Sequence, residues 1–135
     1  MSTKAKSTFA IKSWDEKPYD EFDGGRKLTH AHVIFTYTGD MEAEGKIEYV
    51  MAYSTDGSAH YVGLERIVGK VGDRSGSFVI RHIGHYSGKD TQEEWNIVEG
   101  SGTGELEGIS GKGMADSSSQ EDAHTFTLAY DLAKV

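Results

Sequence analysis

"GSGTGELEGISGKGMAD", Gly100 to Asp116, is the stretch whose reading decides the fold. Its glycines serve either a phosphate-cradling loop ahead of a helix or breaks and close approaches within strands. A dinucleotide fingerprint needs G-x-G-x-x-G between a strand and a helix. Here Gly102, Thr103 and Gly104 are followed by Glu105, Leu106 and Glu107, so Gly108 comes one place late, and no helical pattern follows. A P-loop needs G-x-x-x-x-G-K-[ST]. Gly111 and Lys112 are followed by Gly113, and Leu106 stands where the first glycine belongs. Both nucleotide readings fail. Glycine inside strands marks bulges, coiling or close backbone approach, and the stretch reads as a strand over Gly102 to Met114.

Outward from it, alternation of apolar and polar residues dominates, and no window carries a capped helical period. The pattern predicts strands over Thr8 to Trp14, Lys27 to Thr38, Glu42 to Tyr53, Ala59 to Gly69, Gly76 to Ser87, Thr91 to Val98, Gly102 to Met114 and His124 to Leu132. Turn chemistry separates them: "TGD" at Thr38, "TDG" at Thr55, "VGDRSG" at Val71 and "SGKD" at Ser87. Two acidic connections, Asp15 to Arg26 and Asp116 to Ala123, read as solvated loops or a lid. Short links pair neighbours as antiparallel hairpins, and closing the sheet removes its two edges. The fold class is all-β, an eight-stranded antiparallel β-barrel, in one domain over residues 1–135. Such a barrel is either filled by side chains or holds one small ligand.

Composition narrows the function. The 135 residues carry a formal charge of −8, which opposes a phosphate backbone, so no nucleic-acid partner is expected. No apolar run spans a bilayer, and "MSTKAKSTF" has no apolar segment behind its lysines, which predicts a cytoplasmic protein without a membrane partner. The absence of cysteine removes disulfides, thiol nucleophiles and thiolate metal sites. No serine sits in a G-x-S-x-G elbow, so a hydrolase triad is not supported.

Site residues follow from strand parity. A tight turn at Asp56 and Gly57 places Glu48 across from Glu65, Val50 across from Gly63 and Ala52 across from Tyr61, all on one face. Ile47, Tyr49, Met51 and Tyr53 take the other face, and a change of one residue in the turn would reassign the partners. If the first face lines the cavity, Glu48 and Glu65 meet in a low dielectric and one holds a proton near neutral pH, a pair able to act as acid and base. Arg81 could neutralise an interior carboxylate. His82 is the third candidate catalytic group, and Phe35, Tyr53, Tyr61, Arg81 and Trp95 are the candidate ligand-binding residues. His30 and His32, two apart in a strand, share a side and are suitably spaced for metal, with His82 or His124 as a third ligand. The acid expected near them is replaced at Thr36, so the reading assigns no metal and no other cofactor. His82 and His85 fall on opposite faces.

"EYVMAY" at Glu48 to Tyr53, "GLERIVG" at Gly63 to Gly69, "RSGSFV" at Arg74 to Val79 and "GSGTGEL" at Gly100 to Leu106 together resemble the bacterial domain-of-unknown-function family 3224. The likeness spans nearly the whole chain. It implies an eight-stranded barrel of allene oxide cyclase-like or lipocalin-like form, a homodimer, and no agreed activity. Ala10, Phe35, Met41, Ala43 and Met114 are apolar or enlarged where the family pattern has polar or smaller residues, through drift or through a reshaped, even engineered, interior.

Three functions compete. The first is a barrel that binds a small apolar or aromatic molecule. The second is an isomerase, cyclase or proton-abstracting enzyme using a buried carboxylate or histidine as base, and the third is a structural dimer with a packed interior. The direction of Glu48, Glu65, His82 and Trp95 separates them.

Overall fold

The computed structural model describes residues 3–87, 91–116 and 124–132. Its strands are β1 (Thr3–Glu21), β2 (Lys27–Gly39), β3 (Met41–Tyr53), β4 (Ala59–Val71), β5 (Arg74–Tyr86), β6 (Thr91–Ile97), β7 (Thr103–Gly104), β8 (Ile109–Asp116) and β9 (His124–Leu132). The helical content of the described residues is a single 3-10 turn at Asp23–Gly25. All pairings are antiparallel, in the order β4-β3-β2-β1-β9-β8-β6-β5, and β5 pairs back onto β4. Eight strands therefore close into a barrel, with β7 attached to β5 beside the ring. No helix among the described residues is long and apolar enough to cross a membrane.

Three elements differ from the sequence reading. β1 runs on to Glu21, because bulges between Ile11 and Ser13 and between Pro18 and Asp20 keep it paired with β2. A bulge is also where a strand tolerates a proline, which has no N–H to donate. The predicted strand over Gly102 to Met114 is split: Thr103 and Gly104 pair with Ser77 and Gly76, the chain turns through Glu105 to Gly108, and β8 starts at Ile109. Of the expected connections, most of "SGKD" and "DSSSQEDA" lies outside the described residues.

The third difference is the register of β3 on β4. Tyr53 faces Ala59, Glu48 faces Leu64, and Glu65 faces Ile47. The connection is longer than a two-residue turn: Ser54 N–H donates to Ser58 O and Gly57 N–H to Ser54 O. Asp56 accepts from both the N–H and the hydroxyl of Ser58, and Gly57 takes φ of 86°. That is a three-residue loop closed by a left-handed glycine. One added residue moves β4 by one position against β3, so Glu48 and Glu65 end on opposite faces.

Inside, the rows set large side chains beside glycine and alanine. Ala31, Tyr49, Gly63, His82, Trp95, Gly113 and Leu128 are successive cross-strand neighbours around the ring. A Cβ on Gly63 would lie 2.6 Å from the Tyr49 ring and 2.7 Å from the Glu48 carbonyl oxygen. Phe9, Phe35, Tyr37, Trp95 and Phe126 fill one part of the interior, with Phe9 and Phe35 centroids 4.9 Å apart and Trp95 and Phe126 4.8 Å apart. Of the residues set apart by the family pattern, Phe35 and Met41 belong to this packing, Ala43 is half-buried against it, and Ala10 and Met114 are exposed. Ala10 and Met114 therefore do not shape the interior.

Gly63→Ala is expected to destabilise the barrel by about 1–3 kcal/mol, the usual cost of overpacking, since the carbonyl it meets belongs to the neighbouring backbone. Urea unfolding of the two proteins measures this, and a loss below about 0.5 kcal/mol would contradict the packing described.

Candidate functional site

Alternation along β4 and β5 sends Glu65 and His82 inward, and both side chains are fully buried. A charged carboxylate survives there only if it is paired and hydrogen-bonded. Glu65 Oε1 lies 2.7 Å from His82 Nε2, and Glu65 Oε2 accepts from the Tyr37 hydroxyl at 2.5 Å. On the other side of the imidazole, Nδ1 lies 2.9 Å from Glu93 Oε1, and Glu93 Oε2 accepts from the Tyr61 hydroxyl at 3.0 Å. Two interior glycines make the space: a Cβ at Gly45 would overlap the Glu65 carboxylate, and one at Gly84 would overlap the Tyr61 ring.

The proton count follows from these contacts. A neutral imidazole has one N–H and one lone pair, and the lone pair would face a carboxylate oxygen. Doubly protonated, His82 donates to both acids, and each carboxylate also receives a tyrosine O–H. Every contact in the chain Tyr37–Glu65–His82–Glu93–Tyr61 is then a donor meeting an acceptor. Burial works against charge on His82, but the hydrogen bonds to Glu65 and Glu93 and their negative charges outweigh it, and the pKa rises above 6.5. Burial and the adjacent carboxylates push Tyr37 and Tyr61 up as well, which keeps both as donors. In that donor–acceptor arrangement the two acids outnumber the one base, which gives the chain a formal excess of one negative charge.

Glu65 is sealed, whereas Glu93 keeps 19% of its side chain exposed. Tyr49 links it to the end of the barrel, with centroids 5.3 Å from Tyr61, 5.6 Å from His82 and 6.1 Å from Trp14. There a third carboxylate, Glu16, accepts from the hydroxyls of Tyr53 at 2.6 Å and Thr29 at 2.7 Å and from Trp14 Nε1 at 3.1 Å. Burial and Glu16 push the Tyr53 hydroxyl up to about 12. β6 and β8 share only the pairs Trp95 with Gly113 and Asn96 with Lys112. Beside that short seam a cleft of about 280 Å³ is lined by Glu93, Glu94, Trp95, Asn96, Lys112, Gly113 and Met114. Trp95 Nε1 is buried without a hydrogen-bond partner among the described residues.

A family model described as "Protein of unknown function (DUF3224)" matches residues 5–130. The chain belongs to the DUF3224 family. It is also similar to the crystal structure of a protein with unknown function from the DUF3224 family of Shewanella oneidensis MR-1, with 29% identity, a TM-score of 0.83, and coverage of 99% of this chain and 100% of that one. No curated protein matches.

For this DUF3224 chain the predicted residues divide by face. Glu65, His82, Trp95, Phe35 and Tyr61 point inward and surround one another, and Tyr53 sits half-buried beside Glu16. Glu48 is not in the interior. The three-residue loop turns it outward, where it meets His30 and His32, so the expected Glu48 and Glu65 pair does not form. Arg81 alternates with His82 and is exposed, and the cation beside Glu65 is His82 instead. His85 is indeed on the face opposite His82, stacked on His60. Glu93, Tyr37, Tyr49 and Glu16 were missed. Glu93 could have been found, since it stands two residues from Trp95 in a strand and must share its face.

Two outcomes are expected. The folded chain holds the His82 proton more tightly than the unfolded chain, where histidine titrates near 6.5. The associated stability is full below pH 6.5 and is lost as pH rises through the raised folded value. Unfolding free energy measured from about pH 6 upward should fall in that window, and His82→Gln should flatten the fall. Tyr37→Phe leaves a buried Glu65 oxygen without its donor and should cost about 1–3 kcal/mol in urea unfolding at neutral pH.

Proposed function

We propose that this chain binds a small aromatic molecule carrying a hydrogen-bond donor, with the donor anchored on Glu93. The observation that carries the reading is the partial exposure of Glu93 at the end of a sealed, fully paired chain. Glu65 and His82 have no capacity left for a ligand, and Glu93 is the member with an exposed edge. Tyr49, Tyr61 and Trp14 offer ring faces close by, and the unpartnered Trp95 indole N–H would be satisfied by an acceptor on the ligand. The excess negative charge favours an amine over an acid as the donor group. The packed aromatic cluster around Phe9 and Phe126 argues for a ligand at the Glu93 side rather than one filling the whole barrel.

Titration with phenethylamine, followed by tryptophan fluorescence, tests this against phenylpropionate as the acidic counterpart. The amine should bind at least about tenfold more tightly, and Glu93→Gln should remove most of that preference, an effect of the size expected for one charge-assisted hydrogen bond. Equal binding of amine and acid, or a Glu93→Gln variant that keeps the preference, would overturn the reading.

The bridged imidazole favours one further reading, a proton-abstracting enzyme in which Glu93 is the base and His82 holds its charge. Turnover of a carbon acid that falls by about 10²–10⁴ in Glu93→Gln would support it. The homodimer implied by the family resemblance would use the outer face, where exposed Val50, Val62 and Ile83 form one row across β3, β4 and β5 and Leu64 extends it. That surface is aliphatic rather than aromatic. Sedimentation of the wild type and of Val62→Asp distinguishes a dimer broken by the charge from a monomer in both.

A further inference from the structure

The same loop that removes Glu48 from the interior builds a second constellation on the outer surface. His30 and His32 project from the same side of β2, and their ring centroids are 4.6 Å apart. Register pairs His32 with Glu48 and His30 with Val50, so the acid lies across the strand boundary from the two histidines. Glu48 Oε1 is 2.7 Å from His30 Nε2, and Oε2 is 2.5 Å from His32 Nδ1. The three ligand atoms lie within 4.8 Å of one another, and this is the group of histidine and acid side chains among the described residues with that property.

We infer that His30, His32 and Glu48 form a binding site for a divalent transition-metal ion of the zinc type. Two imidazoles and one carboxylate are a donor set that zinc accepts, with the remaining position open. A tetrahedral ion with ligand bonds of about 2.0–2.1 Å holds its ligand atoms roughly 3.4 Å apart. Separations in the group begin at 2.5 Å and reach up to 4.8 Å, so the carboxylate must draw back and the imidazoles close in. All three side chains are about half exposed, which leaves them free to make that adjustment. β1 supplies a further oxygen donor at the right place: its register sets Asp15 directly across from His32. The site is distinct from the interior chain, whose histidine has both nitrogens engaged by Glu65 and Glu93.

The other outward histidine pair provides the control. His60 and His85 stack across β4 and β5 with centroids 4.3 Å apart, and their register partners in that row are Ala52 and Gln92, neither of them an acid. A metal that merely seeks paired histidines would take this site equally well.

Zn²⁺ titrated by calorimetry into untagged, chelator-treated full-length protein should bind one ion per chain, and Co²⁺ should give a visible spectrum of low-symmetry coordination. His32→Gln and Glu48→Gln should each weaken Zn²⁺ binding by at least about tenfold, since even the loss of a group supporting a ligand costs about 10–100-fold. His60→Gln combined with His85→Gln should leave affinity and stoichiometry unchanged. The melting temperature of each metal-free variant, compared with that of the metal-free wild type, reports whether it has folded, and saturating Zn²⁺ should raise it only where His30, His32 and Glu48 are intact. Absence of binding at hundred-micromolar Zn²⁺ overturns the inference. So does binding that survives His32→Gln and Glu48→Gln but is lost with His60 and His85.

Discussion

The buried imidazole of His82 is the constraint around which the interior is arranged. An imidazolium and two carboxylates cannot leave water unless each N–H and each oxygen has a partner, and removing any partner strands a charge in low dielectric. The chain from Tyr37 to Tyr61 meets that demand by drawing one side chain from β2, two from β4, one from β5 and one from β6. These strands are not all neighbours in the ring, so the polar chain crosses the barrel and fixes β2 against β4 and β5 against β6. Apolar packing would tolerate small shifts of register. This chain does not, because a shift by one residue would turn Glu65 out of the barrel and leave His82 with one acid.

Space for such a chain comes from glycine. Gly45, Gly63 and Gly84 stand on inward positions of β3, β4 and β5, and each lies under a large group: the Glu65 carboxylate, the Tyr49 ring and the Tyr61 ring. The interior thus sets absence of bulk beneath its largest groups, which lets aromatic rings lie across the barrel without forcing the backbones apart. The glycines near Gly100 serve a different end. They allow the chain to leave β7, turn, and re-enter as β8 within a few residues, with Gly104 and Gly108 at φ of 61° and 85°.

Much of this was legible in the sequence, and what was not has a definite cause. Alternation and turn residues located the long strands and the closed antiparallel ring, because both signals are local. The length of β1 was hidden by Pro18 and by an acidic run that looks like a loop; two bulges reconcile them with a strand. Of the site candidates, Glu65, His82, Trp95, Phe35 and Tyr61 have buried side chains, but parity alone left open which face is inside, and exposed Arg81 was named beside His82 for that reason. Glu48 was misplaced because parity cannot count turn residues: Asp56 and Gly57 fit a two-residue turn as well as the longer loop that forms. Glu93 went unread although Trp95 pointed to it, since an acid in a charged segment looks solvated until its partners are known.

That single loop also explains why the outer surface looks as it does. Because strands alternate, whatever register puts Ile47 and Glu65 inside must put Glu48 and Leu64 outside. Glu65 inside finds a histidine on β5 and Glu48 outside finds two on β2, so each acid meets imidazole, but under opposite conditions. The interior acid is sealed, it raises the pKa of its histidine, and its geometry is held by the Tyr37 hydroxyl and by the backbone space that Gly45 leaves. The exterior acid is half-exposed, water competes for every contact, and an ion pair there contributes little to stability. A group that stabilises little where it stands is free to serve a ligand, whereas Glu65 and His82 are committed to holding the barrel. The exposed members of the two constellations, Glu93 at the interior and the His30, His32 and Glu48 group outside, are the ones whose polar atoms are not sealed within the barrel.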